Sequence, residues 1–135
     1  MAAFVVLKIG KRVCKWYRLA AERGQGLAQF KLGVMYANGK GVPEDDKQAV
    51  KWYRLAAEQG LARAQFNLGH MYEKGVCVLE DDVIAYMWFN LAGAEGNDIA
   101  INNKKILTGR MTRSQIEEAQ KLSRECLKKE YKNCY

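Results

Sequence analysis

Histidine and serine, the side chains on which much hydrolytic catalysis depends, are almost absent from this sequence. His70 is the only histidine, and Ser114 and Ser123 are the only serines. A zinc site or a Ser-His pair would therefore rest on one imidazole, and neither serine begins an S-x-x-K motif. No G-x-x-x-x-G-K-[ST] phosphate loop occurs either. We therefore expect no catalytic activity, no metal and no cofactor, and we rank a hydrolase last among the possible functions.

Long apolar runs are also missing. The longest one near the start, Phe4 to Leu7, is too short for a signal-peptide core or a membrane span. This predicts a chain without an export or membrane segment, cytoplasmic by default. One proline and 49% hydrophobic residues predict few chain breaks and enough apolar surface for a single folded domain over residues 1–135.

Acidic residues are too few to balance the basic ones, which leaves a net charge of +7. The excess is uneven, because residues 104–135 carry nine Lys and Arg against four Glu, a net of +5. Such a basic C-terminal segment could bind nucleic acid or another anionic surface. A solvated helix with a basic face is the commoner explanation, and no interleaved aromatic residues favour base stacking. Binding of nucleic acid is therefore the alternative function and not the leading one.

One long segment of the sequence occurs twice. Residues 15–46, KWYRLAAERGQGLAQFKLGVMYANGKGVPEDD, return at 51–82 as KWYRLAAEQGLARAQFNLGHMYEKGVCVLEDD, a shift of 36 positions. Between residues 13–48 and 49–84, 21 of 36 positions are identical. A third, weaker copy begins at MWFNLAGAEGNDIA, where Trp88 continues the series Trp16 and Trp52. A period of this length is typical of a repeat array.

Each copy has the apolar spacing of two amphipathic helices. Asp45 or Asp46, and Asp81 or Asp82, are predicted to cap the N-termini of the helices that follow them. Because the three tryptophans recur in the core-facing pattern, we predict that they are packing residues and not a ligand cage. Glycines that would adopt a left-handed conformation are predicted to end the helices, at Gly24, Gly39, Gly60, Gly75 and Gly96.

Two glycines, Gly33 and Gly69, lie inside the second helix of their copies, where glycine costs about 1 kcal/mol relative to alanine. Close approach of another helix would offset that cost. We predict that each faces the alanines of the neighbouring first helix, Ala20–Ala21 or Ala56–Ala57, with the Trp and Tyr rings beside them.

The motif W-Y-x-L-A-A-E-x-G, followed by A-Q-x-x-L-G-x-M-Y-x-x-G, G-V and an acidic pair, closely resembles the Sel1-like repeat. The resemblance implies an all-α fold, a right-handed α/α superhelical array related to tetratricopeptide repeats, with about seven helices. It also implies an adaptor that binds a protein or peptide, as bacterial members do, without naming the partner. It divides the domain into repeat 1 at 13–48, repeat 2 at 49–84, a partial repeat 3 at 85–109 and a C-terminal capping helix at 110–135.

The N-terminal end departs from the repeat pattern. The first recognisable helix covers about residues 11–23, and no helix of the pattern precedes it. Repeat arrays need polar terminal caps, so its outer face is predicted to be uncovered. Residues Phe4–Leu7 could fold over that face, or a second copy of the chain could pair with it. The chain could equally be a fragment of a longer array.

The two good copies differ along one stripe of the second helix, with spacings of 4, 3 and 4 residues. Related solenoids line their concave surface with this helix, so the resemblance implies a groove for a partner there. Free drift of exposed positions after duplication is the alternative explanation. The first helix instead repeats Lys15, Arg18 and Glu22 unchanged, which indicates a solvated outer face. The candidate stripe consists of Leu27, Lys31, Val34, Asn38, Arg63, Asn67, His70, Lys74, Asn103, Ile106 and Arg110.

Four cysteines, Cys14, Cys77, Cys126 and Cys134, form no C-x-x-C pair and are expected to be ordinary thiols. Cysteine-rich Sel1-like relatives carry C-x7-C disulfides, and Cys126 and Cys134 have that spacing. If the last helix continued through Asn133, however, the two residues would lie about 12 Å apart along its axis, too far for a bond.

A capping box at Thr112 and Gln115 predicts where the last helix begins. Its predicted apolar face consists of Ile116, Ala119, Leu122, Ser123, Cys126 and Leu127.

Overall fold

The chain is all-α, as predicted. A computed structural model describes the backbone of residues 2–135 and the side chains of residues 10–135. That part of the chain contains seven helices and no strand: α1 Ala2–Glu22, α2 Gly26–Asn38, α3 Asp46–Ala57, α4 Ala62–Lys74, α5 Asp82–Ala94, α6 Asp98–Thr108 and α7 Arg113–Lys128. Among these described helices, none combines the length and the apolar character that crossing a bilayer requires.

The helices form two compact units, Met1–Ala56 and Ala57–Tyr135. In the first unit α1 packs against α2, and the buried cluster consists of Cys14, Ala21, Ala28, Leu32 and Trp52. In the second unit α5 is central and packs against α4, α6 and α7. Its side chains Met87, Trp88 and Phe89 are completely buried. The single domain over residues 1–135 and its repeat boundaries stay predictions.

The ends of the helices follow the local chemistry of the sequence. Gly39 and Gly75 adopt the left-handed conformation after α2 and α4, and their N–H groups bond to the carbonyls of Met35 and Met71. A side chain at this position would cost conformational energy that glycine avoids. Positive φ is also found, as predicted, at Gly24, Gly60 and Gly96.

Asp45 and Asp81, which precede α3 and α5, cap the N-termini of these helices, as predicted. The Asp81 carboxylate accepts hydrogen bonds from the backbone N–H groups of Val83 and Ile84. The Asp45 carboxylate accepts from the N–H of Gln48 at 3.2 Å. These bonds satisfy donors at the start of each helix that have no partner within it.

The first helix is longer than predicted. The sequence pattern gave a helix of about residues 11–23, whereas α1 begins at Ala2 and ends at Glu22. No proline or glycine stands before Gly10 to stop it. The expectation that Phe4–Leu7 fold over the outer face concerns side chains outside the described residues.

The three equivalent tryptophans have different environments, which corrects the prediction that all three are core residues. Trp88 is 0% exposed and Trp52 is 7% exposed, but Trp16 is 76% exposed. Trp52 packs against residues of α1 and α2, the pair of helices that precedes its own. Within the first unit Trp16 has no preceding pair to cover, so an identical residue in an identical motif lies in solvent.

Gly33 and Gly69 allow a close approach, but of a different partner from the one predicted. A Cβ atom on Gly33 would lie 2.7 Å from ring carbons of Tyr53, on the next first helix. A Cβ atom on Gly69 would lie 2.9 Å from the Phe89 ring and 3.2 Å from the Ala85 carbonyl oxygen. The ring of the following helix, and not the alanines of the preceding one, fills the space that each glycine leaves.

Replacement of Gly69 by alanine should therefore destabilise the protein by about 1–3 kcal/mol, although alanine is the better helix former. The backbone carbonyl of Ala85 cannot move away without disturbing α5. Urea unfolding monitored by circular dichroism measures the change. Gly33→Ala provides the comparison, because there the three atoms nearest to the new methyl group all belong to the Tyr53 ring. An increase in stability for Gly69→Ala would show that helix propensity outweighs the steric conflict.

The C-terminal helix begins as predicted, but it does not continue through Asn133, as the expectation of free thiols at Cys126 and Cys134 had assumed. Thr112 and Gln115 form both hydrogen bonds of the capping box. The helix α7 ends at Lys128, and the chain then turns back through left-handed residues at Glu130, Tyr131 and Asn133. Ala119, Ser123 and Cys126 are buried on its inner face, whereas Leu127 of the predicted apolar face is exposed.

This reversal joins Cys126 and Cys134 in a disulfide, with a Cα–Cα distance of 5.4 Å. The expectation of four ordinary thiols is therefore wrong for these two residues. It assumed a helix through Asn133, which would have separated the two sulfur atoms along the axis. Cys14 and Cys77 are free, the first buried and the second exposed.

Candidate protein-interaction surface

The predicted stripe on α2 lies on the accessible side of that helix. Leu27 and Asn38 are exposed, and Lys31 and Val34 are partly exposed. The opposite side is held in the core, where the buried Gln29 amide donates to the Ala21 carbonyl at 3.1 Å. Most unchanged residues of the helix are therefore buried, and all its variable ones are at least partly exposed.

The helix α4 has the same arrangement apart from Glu73, a variable residue that is buried. Arg63, His70 and Lys74 are exposed and Asn67 is partly exposed. The buried Gln65 repeats the contact of Gln29, since its amide donates to the Ala57 carbonyl at 3.2 Å. One helical face thus offers a guanidinium, an amide, an imidazole and an ammonium group to solvent.

The third part of the stripe is less regular than predicted. Asn103 is partly exposed and Ile106 is exposed on α6. The helix ends at Thr108, so Arg110 lies in the turn before α7 and not on a helical stripe. The spacing argument failed here because it assumed that the third copy has a second helix as long as those of the first two.

Arg110 instead forms the centre of an ionic cluster. Its Nε and Nη2 atoms donate to the two carboxylate oxygens of Asp82 at 3.0 and 2.9 Å, and Nη2 also lies 3.5 Å from Glu73 Oε2. The hydrogen bonds that Arg110 donates to Asp82 are the main reason that the pKa of Arg110 rises above its ordinary value. The other oxygen of Glu73 is 3.6 Å from His70 Nδ1. Two stripe residues, His70 and Arg110, are therefore brought together by one largely buried carboxylate.

The sequence reasoning missed Glu73 and Asp82 as members of this cluster. The sequence left open whether Asp81 or Asp82 caps α5; Asp81 provides the cap, and Asp82 binds Arg110. Glu73 is buried on the edge of α4, and its counterpart 36 positions earlier is Ala37. This difference between the two copies was the signal by which the sequence could have identified Glu73.

This surface presents cationic, polar and apolar groups. Among the described residues, no group of three or more His, Cys, Asp or Glu side chains could hold a metal ion. The cations Arg63 and Lys74 can meet carboxylates, and Ile106 can meet an apolar anchor. On α7, Lys121, Arg124 and Lys128 are exposed among acidic residues, and nucleic-acid binding there stays a prediction.

A series of helix pairs that recurs every 36 residues, with most unchanged residues of the second helices buried, defines a protein of the α/α repeat class. The Sel1 repeat model matches residues 14–25, 26–61 and 62–97. The chain belongs to the Sel1 repeat family. The two complete matched segments, 26–61 and 62–97, begin 13 residues after the predicted starts of repeats 1 and 2. The 36-residue period is the same, and only the residue at which each repeat is taken to begin differs.

Two solved structures of the family are similar to this chain. One is a protective antigen present in uropathogenic Escherichia coli strains that displays an SLR fold, with a TM-score of 0.85 and 38% sequence identity over 92% of this chain. The chain spans 27% of that antigen. The other is a Sel1 repeat protein from Oxalobacter formigenes, with a TM-score of 0.66 and 44% identity over 67% of this chain and 68% of that one. No protein with a curated description matches the chain.

Proposed function

We propose that this chain is a protein-interaction module that binds a peptide or protein surface along the exposed stripe of its second helices. The Sel1 repeat fold typically mediates protein–protein interaction, and the family is a non-enzymatic repeat scaffold. The observation that carries the proposal is the α4 stripe, where Arg63, Asn67, His70 and Lys74 lie side by side and accessible. Apart from Glu73, which replaces Ala37, the buried residues of the same helix are unchanged between copies.

The stripe has the composition of a recognition surface. Its cations favour a partner that carries carboxylates, and Leu27, Val34 and Ile106 provide apolar contacts. The cluster around Glu73 supports this, because a contact that orders His70 lowers the entropy lost when a partner binds. By the same proposal the chain has no catalytic activity of its own.

Site-specific photo-crosslinking in the source cells tests the proposal. A photoreactive amino acid at His70 should give a discrete adduct with a partner protein, identified by mass spectrometry. The triple variant Asn67→Ala, His70→Ala, Lys74→Glu should then weaken binding of the purified partner by about tenfold or more, since several central contacts are removed at once.

The control for the crosslink is the same photoreactive residue at Glu117, which is exposed on α7. Equal adducts from both positions would indicate chance collisions and not a groove. If the triple variant binds the identified partner as tightly as the parent protein, the stripe is not the binding surface. An adduct with RNA in place of protein, lost on charge reversal at Lys121, Arg124 and Lys128, would establish the alternative function instead.

A further inference from the structure

The first helix, α1, borders a cavity. The sequence pattern had predicted that this face of the helix is solvated. The cavity has a volume of about 370 Å³, within the range of ligand-binding clefts. One wall is a continuous stripe of α1, and the other is the loop between α2 and α3 at Gly41 and Val42. The lining residues are Lys11, Cys14, Lys15, Arg18, Leu19, Glu22, Gly41 and Val42.

The second wall can lie close to α1 because Gly41 has no side chain. Gly41 has a left-handed backbone conformation, with a φ of 76°. The other turn glycines share this conformation, and their φ values lie between 67° and 95°. A Cβ atom on Gly41 would clash with the carbonyl oxygen of Gly10 on α1, so any other residue would push the loop away. Val42 packs against the buried cluster that contains Cys14 and Leu32. The cleft is therefore a built feature of the first unit.

The charge and polarity of the cleft indicate what it can bind. Lys11, Lys15 and Arg18 place three cations around it against one carboxylate, Glu22. Its floor is apolar, with the buried Cys14 thiol, Val42 and Leu19, which is 49% exposed. Arg18 is oriented by its hydrogen bond to the Tyr36 hydroxyl. Trp16, exposed three residues before Leu19, extends the apolar surface by about one turn of the helix.

We propose that this cleft, the α1 cleft, binds an acidic amphipathic segment of a partner protein, separately from the stripe on the second helices. The lining residues from Lys11 to Glu22 extend about 16 Å along the helix axis, which suits a segment of about three helical turns. Its apolar residues would contact Leu19, Val42 and Trp16, and its carboxylates would meet the cations. A second copy of the chain is a poorer occupant, because it would bring the same cations into opposition.

Selection from a random 16-residue peptide library on the purified protein provides the probe. The selected peptides should carry two or more carboxylates and apolar residues three or four positions apart. Of the three tryptophans only Trp16 is exposed, so binding of a synthetic selected peptide should shift its fluorescence emission to shorter wavelength. That shift should be absent in the Trp16→Phe variant.

The repeat provides a matched control for the binding site. The double variant Lys15→Glu, Leu19→Ala should weaken binding of the peptide by about tenfold or more, because it reverses a charge and removes an apolar contact. The variant Lys51→Glu, Leu55→Ala changes the same residue types 36 positions later and should alter affinity less than about twofold. The triple variant at Asn67, His70 and Lys74 should also bind normally, which separates this inference from the proposed function. All four positions of the two double variants are exposed, and circular dichroism checks their folding.

Four results would overturn the inference. The first is selection of peptides without acidic residues, and the second is an equal loss of peptide affinity in the two double variants. The third is binding of the protein to anionic lipid vesicles that is as tight as its binding to the peptide and is not weakened by Leu19→Ala. The fourth is a dimer in light scattering that dissociates in Lys15→Glu, Leu19→Ala, since a second copy would then occupy the cleft.

Discussion

Replacement of Trp88 by alanine is expected to lower the free energy of unfolding by about 3–5 kcal/mol, whereas Trp16→Ala should change it by less than about 0.5 kcal/mol. The two residues occupy equivalent positions in the repeat, 72 positions apart. Trp88 is completely buried, and its indole N–H donates to the Tyr135 carbonyl at 3.2 Å. Its loss would leave both a large cavity and an unpaired acceptor. Trp16 is mostly in solvent and leaves neither.

Urea unfolding followed by circular dichroism measures both changes, and Trp52→Ala completes the series. Trp52 is buried against α1 and α2, so its substitution should also be costly. The control is internal, because all three variants remove the same side chain from the same motif. Equal losses for Trp16→Ala and Trp88→Ala would mean that Trp16 is covered in solution, and would contradict the exposure described above.

Reduction of the disulfide between Cys126 and Cys134 is expected to cost about 2–3 kcal/mol of stability, from the loop entropy that a bridge eight residues apart removes from the unfolded chain. The segment that it holds carries other contacts of the second unit. The Tyr131 hydroxyl donates to Glu95 at 3.2 Å, and the Lys132 ammonium donates to the Glu58 carbonyl at 3.1 Å. Burial, with this bond to Glu95, raises the pKa of Tyr131 above its ordinary value. These contacts should weaken when the tether is released.

Thiol titration of the denatured protein should find two reactive thiols before reduction and four after it, since Cys14 and Cys77 are free. Urea unfolding with and without reductant then gives the stability difference. The variant Cys14→Ser, Cys77→Ser is the control, because it removes the free thiols and should keep the full effect of reductant. An unchanged unfolding midpoint on reduction would show that the bridge contributes no stability. Disulfides persist in oxidising compartments, so protein taken from a reducing one should show four thiols.

Local features of the fold could be predicted because neighbouring residues produce them. The left-handed turns at Gly39 and Gly75, the Asp81 cap and the capping box of α7 each depend on residues within a few positions of one another. The accessibility of the α4 stripe could be predicted for a similar reason, since two copies of one helix show which positions stay unchanged. Its role in binding stays a prediction.

Features that depend on distant residues could not be predicted in the same way. The early end of α6 moved Arg110 into a turn, where Asp82 and Glu73 bind it. The α1 cleft was missed because its second wall comes from a loop 19 to 31 positions away in the sequence. Lys15, Arg18 and Glu22 read alone have the pattern of a solvated face, and only the loop at Gly41 makes that face concave.

The sequence by itself determined the all-α repeat, its 36-residue period and the family, because helix periodicity and turn chemistry are local and recur at fixed offsets. Only the tertiary structure decided which copy of an identical residue is buried. Trp16 and Trp88 share one motif, but burial requires a neighbouring helix pair, and the first unit supplies none for Trp16. The same reason explains the disulfide, since two cysteines can bond only where the chain reverses after Lys128.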